Sequence, residues 1–186
     1  MEYVEALRDT KQIDAIKRYL KKHSERDYVL FVMGINTGLK ITELLEIKVG
    51  NVMDANGNFH EFYTLPLKDG AQEIYLNSKV KRAVLPYVLS HDLQPDDYLY
   101  QSPKTKKPIT RQQAYRIIHQ AAEEVGIPGK IGTNSMRKTF GFHAYKRGVA
   151  ISLLQKHFHH SSRSETLKYI GISKEDNLKA KIDVNL

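Results

Sequence analysis

The 186-residue chain contains no cysteine. That absence excludes disulfide bonds and every thiolate-ligated metal site. Long apolar runs are missing too, and nothing approaches the roughly 20 residues that a membrane-spanning helix requires. The opening Met1-Glu2-Tyr3-Val4-Glu5 lacks the basic-then-apolar layout of a secretory signal. Internal repeats and low-complexity stretches are absent as well, which removes solenoid and linker architectures. No membrane partner is expected, and a cytoplasmic location follows by default.

What is present suits a packed globule. Apolar residues make up 41 % of the chain, enough to build one core, and the length is too short for two ordinary domains. Lysine and arginine number 29 against 21 acidic residues, a formal net charge of +8. Such a surplus points to an anionic partner, nucleic acid first, with a merely lysine-rich soluble protein as the alternative.

Periodicity divides the chain into helices and a small sheet. Thr10 is placed to cap a helix with Ile13, Ile16, Tyr19 and Leu20 on one face and Lys17, Arg18, Lys21 and Lys22 on the other. Residues 28–35 are apolar nearly all round and predict a buried helix, stopped by Gly38. A short helix follows over 39–45, where Lys40 and Glu43, three apart, can pair. The period then drops to two. Residues 49–52, 59–65 and 72–76 predict a three-stranded antiparallel sheet with Lys68 at the tip of its second hairpin.

Helices return at 79–89 and after Thr110, where Ala114, Ile117, Ile118, Ala121 and Val125 face inward and Arg111 and Arg116 outward. Further helices are predicted from Ser135 to about Gly148 and over 151–158. Ser162-Arg163-Ser164-Glu165 opens a helical turn carrying Tyr169, and a last polar helix starts at Ser173. The fold class expected is therefore α+β, mainly α-helical with a small sheet.

Four segments carry chemistry-bearing residues in order: Thr37-Gly38-Leu39-Lys40-Ile41-Thr42-Glu43-Leu44-Leu45; Lys68-Asp69-Gly70; Asn134-Ser135-Met136-Arg137-Lys138-Thr139-Phe140; and Phe158-His159-His160-Ser161-Ser162 with Tyr169 nine residues after His160. In that order they resemble the catalytic domain of the tyrosine recombinase (phage integrase) family, over nearly the whole chain.

The resemblance implies that family's fold as one catalytic domain, residues 1–186, without the amino-terminal core-binding domain. It implies metal-independent transesterification of double-stranded DNA with no cofactor. Tyr169 would be the nucleophile, Arg137 would bind the phosphate with a guanidinium fork, His160 would assist, and Lys68 would be the general acid. Lys138, Arg111, Arg116 and His159 are further candidates for DNA contact. The partners implied are DNA and a homo-oligomer, a tetramer on DNA, or else a full-length recombinase. The segment after Tyr169 is expected to dock on a neighbouring protomer.

Four positions depart from the family's pattern, one of them Lys138, which stands where the family has a second, often replaced, histidine. Lys40 stands where the family has arginine, and keeps the charge without the planar fork. Asn134 stands where the family has histidine, and cannot exchange a proton at neutral pH. His159 replaces a glycine. One lost donor at a developing anion costs about 2.7–4 kcal/mol. A weakened or inactive DNA-binding paralogue is thus a competing reading. A helix-turn-helix regulator built on 151–158 and 164–170 is another. A metal site at His157, His159 and His160 is not expected, because adjacent helical positions diverge and no acidic partner is close in sequence.

Overall fold

The computed structural model describes residues 3–173, 176 and 183–186. Helix α1 (Thr10–His23) buries Ile13, Ile16 and Leu20, a stripe at helical spacing, and ends in Lys21, Lys22 and His23, which suit its negative C-terminal dipole. Its cap is Asp9, whose carboxylate accepts from Lys11 N at 2.9 Å, so Thr10 is the first helical residue and not the cap predicted. Helix α2 (Glu25–Thr37) is the centre of the core. Val29, Leu30, Phe31, Val32 and Met33 are all buried, and α1, α4 (Ser78–Ser90) and α6 (Thr133–Lys146) pack around it.

Gly38 ends α2 with φ 68°, a left-handed conformation that favours glycine. Phe140 of α6 lies so close that a Cβ at Gly38 would overlap its ring. The chain therefore turns tightly against α6 before α3 (Ile41–Leu45) begins. Lys40 and Glu43 do pair, but through the backbone: Lys40 N donates to Glu43 Oε1 at 2.8 Å.

Among the described residues the sheet has two strands, not three. Antiparallel β1 (Phe62–Leu67) and β2 (Gly70–Tyr75) form a hairpin with Leu67 opposite Gly70 and Lys68 and Asp69 at its tip. The predicted first strand is a 3₁₀ turn, Val49–Asn51. Two of its N–H groups are taken by distant carbonyls, Val49 donating to Asp97 O at 3.0 Å and Gly50 to Pro95 O at 2.9 Å, and isolated Lys48–Tyr98 and Met53–Phe59 bridges flank it. Tyr63, Leu65 and Ile74 face the core, while Phe62 and Tyr75 form an exposed pair on the other face.

Thr110 caps α5 (Arg111–Glu124) as predicted, accepting from Gln113 N at 3.1 Å. The remaining helices, α7 (Ile151–Phe158) and α8 (Arg163–Tyr169), enclose a smaller apolar cluster of Phe142, Ile151, Leu154, Phe158, Ile170 and Ile172. Ser162 caps α8, but Glu165 reaches back to Ser161 N and Oγ, both at 2.8 Å. The predicted polar helix from Ser173 lies for the most part outside the described residues, as does most of the segment expected to dock on a neighbour. No helix among the described residues is long and apolar enough to cross a membrane.

Candidate active site

Arg137 sits on the second turn of α6 and is buried at 6 % exposure. A charged group there needs partners. Its Nη1 donates to Gly38 O at 2.8 Å, its Nη2 to Phe158 O at 3.0 Å, and its guanidinium lies 4.6 Å over the Phe158 ring. One side chain thus ties the end of α2, which leads into Lys40, to the end of α7, which leads into His160.

Tyr169 closes α8 half-buried against this group. Its hydroxyl donates to Asn134 Oδ1 at 2.7 Å, and its ring meets Phe158 at 5.4 Å and His160 at 5.0 Å. Burial pushes the phenol above its ordinary pKa, opposed by the Arg137 charge and by hydrogen bonds with Arg137 and Asn134. The proton stays on at neutral pH. Flipped about its Cβ–Cγ bond, the same Asn134 would offer an N–H to a phenolate.

His160 Nδ1 pairs with Thr166 Oγ1 at 2.9 Å, and Thr166 in turn donates to Ser162 O at 3.4 Å. In that arrangement Nδ1 carries the proton and Nε2 is an acceptor; rotation of the Thr166 hydroxyl toward Nδ1 reverses the roles. Desolvation lowers the His160 pKa, with Arg137, His159 and Lys40 adding positive charge and Glu165 opposing. The imidazole is neutral at neutral pH. Thr166 was missed from sequence, although it lies three residues before Tyr169 and so shares its helix face.

Two expected residues are exposed. Lys40 is exposed, and it lines a small cleft with Glu43, Gln72, Arg137, His157 and His159. Lys68 is exposed at the hairpin tip. Arg111 and Arg116 are exposed on α5 and line a depression with Ile41 and Thr133, next to Asn134.

Of the other two expected contacts, Lys138 is not where a DNA contact would put it, whereas His159 is exposed. Lys138 is buried at 6 % exposure, with Nζ donating to Val4 O at 2.9 Å and lying 4.1 Å over the Tyr3 ring and 5.1 Å over that of Tyr169. Residues before α1 fold across α6 and enclose it, and burial lowers its pKa. It supports the Tyr169 ring from behind. His159 is exposed, but its Nε2 is bonded to Gln72 Oε1 at 2.8 Å. It also caps α7 at φ 59°, a left-handed conformation that costs a non-glycine residue roughly 1–2 kcal/mol.

The three neighbouring histidines turn to different partners. His157 Nε2 donates to Thr37 O at 2.8 Å, His159 faces Gln72, and His160 faces Thr166. Among the described residues no group of three or more metal-ligating side chains is assembled. Burial is the largest cause lowering the His157 pKa. The folded state therefore takes up its proton only below the ordinary value of about 6.5. The unfolded chain binds that proton first, so stability is full above about pH 6.5 and falls as pH drops through the depressed value. Urea midpoints should decline from pH 7.5 to 5.5, and His157→Gln should flatten that slope; an unaltered slope would assign it to other groups.

Comparison with known proteins agrees with this architecture. Residues 7–176 match the Phage integrase family. A probable integrase/recombinase, YoeC of Bacillus subtilis, is 38 % identical over 180 residues, covering 97 % of this chain and 96 % of that protein. A tyrosine recombinase of Pseudothermotoga lettingae is 26 % identical over 159 residues, 84 % of this chain but 53 % of its own length. The crystal structure of XerA recombinase superposes with a TM-score of 0.76 at 17 % identity, over 96 % of this chain and 62 % of that one. At that identity it supports the fold alone. The match over residues 7–176 and the end-to-end likeness to YoeC make this protein a member of the phage integrase family, a site-specific DNA recombinase of the tyrosine type.

Proposed function

We propose that this chain cuts and rejoins double-stranded DNA with Tyr169 as nucleophile. The Tyr169 oxygen bonds to phosphorus, the bond from phosphorus to the 5′-oxygen breaks, and a 3′-phosphotyrosyl link conserves the ester for the reverse step. The phenolic proton passes to His160 or solvent, and Lys68 supplies a proton to the leaving 5′-oxygen. Arg137 offers its remaining N–H groups to the non-bridging oxygens, with Lys40 as a second cation. The observation that carries this reading is the convergence of Arg137, Asn134 and His160 on the Tyr169 phenol.

The exposed Arg111 and Arg116 extend this site along α5 as phosphate contacts. A tetramer on DNA, formed by this chain alone or with a full-length recombinase, is the assembly we infer for strand exchange. The test is a nicked suicide duplex of the protein's own site, with a covalent adduct sought on a denaturing gel. DNA binding without an adduct would overturn the reading.

That second outcome would favour a DNA-binding paralogue, which one observation supports. The Tyr169 proton points at Asn134, an amide that cannot take it. In either case Lys40→Arg with Asn134→His should speed single-turnover cleavage by about 10²-fold or more, since one good donor at a developing anion is worth about 10²–10³. No gain would place both positions outside the rate-limiting step.

A further inference from the structure

We propose that Gln72 is a positioning residue, and that with His157 and His159 it latches the Lys68 hairpin to the turn carrying His160. This rests on the reading of Lys68 as the general acid. Gln72 stands opposite Leu65 and shares its face with Ile74, so the pleat directs this polar side chain inward. There it meets the end of α7. Its Nε2 donates to His157 O at 3.3 Å and lies 3.4 Å from His157 Nδ1, while its Oε1 accepts from His159 Nε2 at 2.8 Å.

The tautomers agree with one another. His157 Nε2 donates to Thr37 O at 2.8 Å, which leaves Nδ1 as an acceptor for the Gln72 amide. One glutamine therefore satisfies two histidines and a helix-terminal carbonyl. This also accounts for a histidine in the left-handed position at 159, where glycine would be less strained: glycine has no side chain to hold the hairpin.

Position along the hairpin makes the latch consequential. A two-stranded hairpin is marginal by itself. Tyr63, Leu65 and Ile74 anchor its base in the core, whereas Lys68, Asp69 and Gly70 are exposed. Gln72 lies two residues past Gly70 and is a polar tie from the hairpin to the helical body, beside half-buried Leu67, which packs on the core next to the tip. Gln72 and Leu67 together hold the strand ends from which Lys68 extends. The same latch borders the cleft shared by Arg137 and Lys40, so hairpin and phosphate site are held in one register.

The test compares Gln72→Ala and His159→Gly with the wild type in two measurements. Amide exchange over residues 62–75 should quicken in both variants, with the helical core unchanged. Single-turnover cleavage of ordinary DNA should fall about tenfold, part of the roughly 10²–10⁴-fold that a positioned general acid supplies. DNA affinity should hold. On DNA with sulfur in place of the bridging 5′-oxygen the loss should vanish, because a thiolate leaves without a proton. Unchanged hairpin exchange would overturn the latch. Faster exchange with equal losses on both substrates would overturn its link to the acid. Lys68→Ala, run on the same two substrates, reads the general-acid assignment separately: a loss that sulfur does not restore would refute that assignment, whatever the exchange data say of the latch.

Discussion

Tyr169→Phe should leave the protein folded and DNA-bound and reduce covalent adduct to background. The substitution removes one oxygen. The ring keeps its contacts with Phe158 at 5.4 Å and His160 at 5.0 Å and stays over Lys138 at 5.1 Å. The lost hydrogen bond to Asn134, 2.7 Å long, is exposed, and removing it costs at most about 0.5–1.5 kcal/mol. That is a small fraction of the 5–15 kcal/mol or so that stabilises an ordinary domain. Catalysis has no such margin, because the covalent intermediate needs the atom that is gone. Binding should persist, since the phosphates are met by cations that the variant retains. A suicide-duplex gel beside a mobility-shift titration separates the two effects. The chain holds 11 tyrosines, so an adduct that survives in Tyr169→Phe would assign the attack to another.

The candidate site was read from four ordered segments that resemble a known family, and local spacing supplied the helices that carry them. The interval from His160 to Tyr169 spans the cap at Ser162 and one short helix, whose buried residue is Thr166. Helix α7 was readable to the residue, because Ile151, Leu154 and Phe158 repeat at helical spacing. Periodicity tells which face is inward, however, and not what meets it. Lys138 follows Arg137 on a helix buried on several sides, and only the tertiary path of residues 3–9 decides that Val4 O receives its ammonium. Val49 to Val52 has the composition of a strand, yet carbonyls more than 40 residues away take the N–H groups of Val49 and Gly50, and those of Asn51 and Val52 close a 3₁₀ turn. Gln72 could have been noticed by parity with Ile74, but its partners on α7 lie 85 and 87 positions further along the chain. Local pattern carries no term for such pairs.

Arg137→Ala should be the most damaging single change, and Arg137→Lys shows why. The guanidinium satisfies Gly38 O at 2.8 Å and Phe158 O at 3.0 Å from a position 6 % exposed. Removing a charged donor from buried acceptors costs about 1–3 kcal/mol for each group left unpaired, before any loss of packing. The alanine variant should therefore melt well below the wild type. The two segments that Arg137 joins are those carrying Lys40 and His160, so local disorder would reach the phosphate site even where the fold survived. Lysine keeps the charge but not the fork. A single ammonium with three donors on a flexible stem cannot hold both carbonyls in the plane that leaves further N–H groups for a phosphate. Arg137→Lys should stay folded with a modestly lower melting temperature, and should cleave a suicide duplex about 10²–10³-fold more slowly. Circular dichroism melts and single-turnover rates on the same preparations distinguish the effects. Wild-type cleavage by Arg137→Lys would reduce Arg137 to a structural tie between α2 and α7, and would transfer the anionic transition state to Lys40 and His160.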